Sequence, residues 1–163
     1  MVTEVSGSLV RSRQRGVVLL AVLVFILLTT LAASSLVVAH VTQVQREREE
    51  QLLFIGAQYR SAIGSYYNTI PPGGGRSLPQ TLDMLLNDHR FAKPIPHLRR
   101  LYPDPITGQA DWQLVMENGG IVGIRSRSGK TTLKKTNFAK GLEKFEGKDV
   151  YSEWVFSIRY VSR

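Results

Sequence analysis

The chain has 163 residues and a net charge of +8, from 21 Lys/Arg against 13 Asp/Glu, and it contains no cysteine. That excludes disulfide staples and thiolate metal sites, and the length suits one membrane-associated helix plus one small domain. Residues 1–16 hold three Arg and one Glu, so their removal still leaves +6, much of it dispersed. A dispersed excess reads as a solvated basic surface, with attraction to nucleic acid or anionic lipid as the alternative.

Residues 11–16 read RSRQRG, and the next 23, Val17 to Ala39, carry no charge. As a helix, that stretch would be roughly 35 Å long, enough to span a bilayer. The apolar run is too long for the h-region of a secretory signal, and the small cluster Ala32-Ala33-Ser34-Ser35 lies inside it. A membrane anchor is therefore expected. Arg11, Arg13 and Arg15 crowd one flank, while Arg46 and Arg48 begin seven residues past Ala39. This asymmetry places the N-terminus on the cytoplasmic side and the C-terminal domain outside.

The pattern stays free of proline until Pro71. A continuous Val17–Ile70 helix would extend about 80 Å. Within it, Leu52, Ile55, Tyr59, Ile63 and Tyr66 recur at spacings of three or four and form one apolar face, expected to pack on a sheet. Arg46-Glu47-Arg48-Glu49-Glu50 mixes signs and reads as the solvated emergence of the helix from the membrane. The 93 residues beyond residue 70 are few for an independent core, so the helix face is expected to complete it.

Pro71-Pro72-Gly73-Gly74-Gly75 ends the helix. A short helix is predicted next, capped by Ser77, with Pro79 in its first turn and Leu82, Leu85 and Leu86 as its apolar face. Asp88 to Pro105 holds four prolines and reads as irregular. Trp112, Leu114 and Met116 alternate, Asn118-Gly119-Gly120 turns, and Ile121 to Ile124 returns, which predicts a β-hairpin. A loop rich in Lys and Gly spans about 129–149. A last strand is expected with Trp154, Phe156, Ile158 and Tyr160 on one face and Val155, Ser157 and Arg159 on the other. The expected fold class is α+β, a long N-terminal helix packed on a small antiparallel sheet.

The junction Arg15-Gly16-Val17 resembles the precursors of type IV pilins and type II secretion pseudopilins, in which a short basic leader ends in glycine. The resemblance implies cleavage between Gly16 and Val17 by a membrane prepilin peptidase and N-methylation of Val17. Glycine at that site lets catalytic groups approach the backbone closely. The chain departs from the family at its fifth mature position, where most members carry a glutamate that pairs with a neighbour's terminal amine. Here it is Ala21, the position that would set assembly register, and its lack of charge points to a minor subunit. A second resemblance lies in Leu101-Tyr102-Pro103-Asp104-Pro105-Ile106-Thr107-Gly108 followed by Trp112, similar to the segment joining helix to sheet in major pseudopilins. In physical terms Asp104 can accept from the backbone two residues on, Pro105 pre-sets the turn and Gly108 supplies a positive φ.

The resemblance implies a leader at 1–16, a transmembrane half-helix at 17–39, an amphipathic half at 40–70 and a periplasmic pilin-like α+β domain at 71–163. It also implies a single pass of the bacterial inner membrane and a place beside other pseudopilins in a type II secretion filament. A minor pilin of a type IV pilus or DNA-uptake filament, and a non-polymerising single-pass anchored binding domain, are the alternatives.

Enzymatic chemistry is not expected. Ser128-Gly129-Lys130-Thr131-Thr132 lacks the first glycine of a phosphate loop, since Ile124 stands five residues before Gly129. His40, His89 and His97 show no metal-ligand spacing. No cofactor is expected beyond a candidate calcium loop: Glu143, Glu146, Asp149 and Glu153 cluster before the last strand, where major pseudopilins commonly hold calcium. Lys140, Lys144 and Lys148 interleave them and oppose a cation. For DNA uptake, Lys130, Lys134, Lys135 and Lys140 with Phe138 would form the phosphate-contacting and stacking patch, although the solvated-loop reading is preferred.

Overall fold

The computed structural model describes residues 8–158, without the side chains of 8–15 and 30–40. Helix α1 runs Ser8–Asn68. The strands are β1 (Gln113–Glu117), β2 (Gly120–Arg125) and β3 (Phe156–Ser157), joined as one antiparallel sheet in the order β1-β2-β3. The fold is thus α+β, a helix with a small three-stranded antiparallel sheet. It divides into two compact units, Met1–Val44 and Gln45–Arg163. Among the described residues, no helix is long and apolar enough to cross a membrane. The expected span at 17–39 lies partly outside the residues whose side chains are described.

In the Gln45–Arg163 unit, α1 contributes Leu52, Tyr59, Ile63 and Tyr66 to the core, all at 4% exposure or less, with Ile55 half-buried. The expected stripe packs as its spacing requires. Gly56 belongs to the same stripe: a Cβ there would come within 2.4 Å of the Phe156 ring. Opposite stand Ile121, Ile124 and Phe156 from the sheet. A nest of rings fills the rest: Phe145 and Trp154 stack at 5.3 Å, and Phe138, Phe156 and Tyr151 meet them edge-on.

The hairpin forms where the alternation predicts it. Asn118 (φ 50°) and Gly119 (φ 77°) both sit in the left-handed region, the conformation a two-residue turn needs between twisted strands. A bulge at Val115/Met116 leaves Val122 without a direct partner across from β1. The Asp104 turn also forms: Asp104 Oδ1 accepts from Ile106 N–H at 2.8 Å, and Gly108 takes φ 76°.

Three expectations are corrected. The helix after Gly75 is a single 3₁₀ turn, Leu82–Leu85, preceded by Thr81. Ser77 does not cap it, because its Oγ accepts from Arg90 Nη1 at 2.9 Å instead. The last strand is two residues long, since Tyr151–Glu153 coils into a 3₁₀ turn just before it. Phe156 and Ser157 do face opposite ways, as the alternation predicts, and Ser157 is buried under Lys144; Arg159 and Tyr160 lie outside the described residues. Finally, the charged run 46–50 is not wholly solvated, because Glu49 is 4% exposed.

Candidate functional site

Gly16 and Val17, the expected processing junction, lie within α1. Nothing comes within 4 Å of a Cβ built at Gly16, so the junction is open. Glycine in a helix interior costs about 1 kcal/mol relative to alanine, so Gly16 is a weak point in the helix. From Val17 to Leu28 every large apolar side chain is exposed, from 47% at Val24 to 67% at Leu19 and Phe25. They occur on all sides of the helix rather than on one stripe, which is the pattern of a helix surrounded by apolar material. Ala21 lies in this stretch and is also exposed.

In the Gln45–Arg163 unit, the polar chemistry is concentrated in three buried carboxylates, each of which ties distant segments together. Glu49 accepts from the backbone N–H of Leu133 (2.8 Å) and Lys134 (2.9 Å) and from Tyr151 Oη (2.9 Å). Gln45, one turn earlier, donates to Thr131 O and Tyr151 Oη. Together they fix the lysine-rich loop to α1. Burial, with Glu49 as neighbour, pushes the Tyr151 hydroxyl up to about 12. The signal for Glu49 was present in the spacing: residues 49, 52, 56, 59, 63 and 66 alternate steps of three and four, so the buried stripe begins inside the charged run.

Asp88 is fully buried and held by a bidentate Arg90 fork, Nε to Oδ1 at 2.8 Å and Nη2 to Oδ2 at 2.6 Å. Arg90 Nη2 also donates to Tyr66 O in the last turn of α1, and its guanidinium carbon stands 3.7 Å from the centre of the Tyr66 ring. One side chain therefore satisfies a helix-end carbonyl, stacks on an aromatic and pairs with an acid. The hydrogen bonds from Arg90 hold Asp88 down at about 2, against the desolvation that would raise it. His97 completes the cluster, with Nε2 3.2 Å from Asp88 Oδ2 and Nδ1 2.8 Å from Ser65 Oγ. Asp, His and Ser are the residue types of a nucleophilic relay. Here, however, Asp88 is already paired with Arg90 and Ser65 lies within α1, so the chain serves as a tether between helix and loop.

Asp104, the third acid, accepts from Ser126 Oγ through Oδ2 while Oδ1 holds its own turn, which links the turn to the residues after β2. Tyr59 ties α1 to the segment just before this turn: its Oη donates to Tyr102 O (3.1 Å) and accepts from Tyr102 N–H (2.9 Å), and its ring meets Trp112 edge-on.

The four acids of the expected calcium loop are not brought together. Glu143 accepts from Gly141 N–H at 2.7 Å, which holds it below its ordinary value. Asp149 pairs with Lys135 Nζ at 2.8 Å and is likewise lowered. Glu153 accepts from Asp149 N–H, and Glu146 is exposed. Among the described residues, no group of three or more His, Cys, Asp or Glu is placed to hold a metal ion.

The expected DNA patch is divided. Lys130 and Lys140 are exposed, Lys134 stands 5.4 Å over the Phe138 ring, and Lys135 is engaged with Asp149. Phe138 is buried between Phe145 and Trp154, so its ring has no open face for a base. Ser128–Thr132 is part of this loop, fixed by the Thr131–Val150 bridge and by a bond from Thr132 N–H to Asp149 O.

No family model, curated protein or solved structure matches this chain.

Proposed function

We propose that the chain is a pseudopilin-type structural subunit of a periplasmic filament in type II protein secretion. In this reading a prepilin peptidase cuts between Gly16 and Val17, and residues 17–39 hold the product in the bacterial inner membrane. The domain beyond is periplasmic, and assembly is a transfer of the apolar helix from lipid to the flanks of sister helices. The observation that carries the reading is the apolar exposure of Val17–Leu28 in the same helix whose residues Leu52–Tyr66 are built into an α+β core. Side chains exposed on all sides of a helix need an apolar surround, which lipid and a helix bundle both provide. The polar tethers of Glu49, Asp88 and Asp104 suit a structural element that must stay folded under load.

Ala21 makes this a minor subunit. It carries no carboxylate to attract a neighbour's terminal amine, so incorporation depends on a major subunit that has the acid. Overexpression with the assembly machinery but without other subunits should give no long filaments. With a major subunit present, the wild type should appear at filament ends, and Ala21→Glu should spread it along their length. Long homopolymers of the wild type would contradict the minor assignment, and its absence from every filament would contradict the subunit reading itself.

A further inference from the structure

A groove of about 630 Å³ lies on the sheet beside the edge strand β1. Val115 pairs with Gly123, which pairs with Ser157, and Gln113 pairs with Arg125. Directly opposed residues share a face, so Val115 and Arg125 project from the face opposite Ile124 and Phe156, away from the core. Leu114, Val115, Met116 and Val155 give the groove an apolar lining, with the buried Phe145 beneath, and Arg125, Lys144 and Lys148 give it three cations. One acid also lines it, Glu153, whose Oε2 is turned to Asp149 N–H.

The cations are underused. Arg125 donates a long 3.5 Å bond to Ser152 O, and among the described residues its Nε is buried with no hydrogen-bond partner. A buried guanidinium nitrogen without an acceptor destabilises, and a carboxylate arriving in the groove would relieve it. Lys144 reaches Ser157 Oγ at 3.1 Å, and burial lowers its affinity for a proton. An arriving anion would offset that cost as well.

We propose that this groove docks an acidic segment of a partner protein, one carrying apolar side chains between its carboxylates. The carboxylates meet Arg125, Lys144 and Lys148 while the apolar groups cover Val115, Met116 and Val155. Charge complementarity selects this occupant: a second copy of the chain brings a net +8 towards three cations and is repelled. The inference uses only the Gln45–Arg163 unit and stands whether or not the chain assembles into filaments.

Full-length protein in detergent micelles is titrated into fluorescent short peptides, read by anisotropy. The probes alternate glutamate or aspartate with leucine or phenylalanine, lysine with the same apolar residues, or acid with glycine and serine. The acidic–apolar peptide should bind best and weaken as salt rises. Lys148→Glu, and separately Arg125→Gln, should each weaken it at least ~10-fold. Lys140→Gln, exposed and outside the groove, should leave it unchanged. Lys148→Glu keeps the test sound if Arg125→Gln disturbs folding. Absence of binding, equal binding of the lysine peptide or of the glycine–serine peptide, or an equal loss in Lys140→Gln would each overturn the proposal.

Discussion

Two stretches of one helix solve the problem of apolar side chains in opposite ways. Between Val17 and Leu28 the apolar residues face every direction and all are exposed. Between Glu49 and Tyr66 most of them keep to one stripe buried against the chain's own sheet and loops, with Phe54, 63% exposed, the exception. A stripe needs one partner surface, which a small domain can supply. A helix that is apolar all round offers no single stripe for one partner surface to cover. The difference separates a stretch built into a core from one whose apolar side chains lie exposed.

Truncation should separate the two stretches most strongly. Tyr59→Ala removes a buried ring and both of its bonds to Tyr102, and should cost about 3–5 kcal/mol in urea unfolding of the detergent-solubilised protein. Leu23→Ala, at a position 56% exposed, should change the same transition by less than about 0.5 kcal/mol. Similar costs for the two would erase the distinction.

Removing the polar tether at the start of the stripe should have the next largest effect. Glu49→Ala leaves the Leu133 and Lys134 amides and the Tyr151 hydroxyl without their acceptor, for a loss of about 1–3 kcal/mol. Hydrogen exchange should then speed up at the Leu133 and Lys134 amides before the core opens. Unchanged protection there would mean that Glu49 does not hold the loop.

Acid titration sharpens the comparison further, because the Asp88 cluster belongs to the self-contained unit. The folded pKa of Asp88 is depressed from 3.8 to about 2, so its contribution is present above 3.8 and is lost as pH falls through 2. Its full size is about 2 kcal/mol. Arg90→Gln should flatten this pH dependence; a wild-type stability unchanged between pH 5 and 2 would remove Asp88 as a determinant.

A smaller effect is expected at Gly56. Alanine gains about 1 kcal/mol in helix propensity, yet its Cβ would sit 2.4 Å from the Phe156 ring, and overpacking costs about 1–3 kcal/mol. The net should be a loss near 1 kcal/mol, and a gain in melting temperature would show that the contact gives way freely.

Much of the framework was legible because it is local or periodic. The three-and-four rhythm of Leu52 to Tyr66, the turn at Asn118-Gly119 and the Asp104-Pro105 turn each carry their cause within a few residues. Glu49 was hidden by its neighbours: a run of alternating charge reads as solvated, and only its place in the stripe says otherwise. The Asp88–Arg90–His97 cluster had no such signal, because the chain segments around it are irregular and its partners, Tyr66 and Ser65, come from the distant helix. Among the described residues the final strand is shorter than the alternation suggests, because the 3₁₀ turn at Tyr151–Glu153 delays pairing with β2 until Phe156.

The proposed pseudopilin role is tested most directly at the Gly16–Val17 junction. Co-expression with a prepilin peptidase, followed by intact-mass measurement, should show loss of residues 1–16 and a chain beginning at Val17. Gly16→Asp should leave the precursor whole, since its side chain obstructs approach to the peptide bond. An uncut wild-type precursor in the presence of active peptidase would contradict the account.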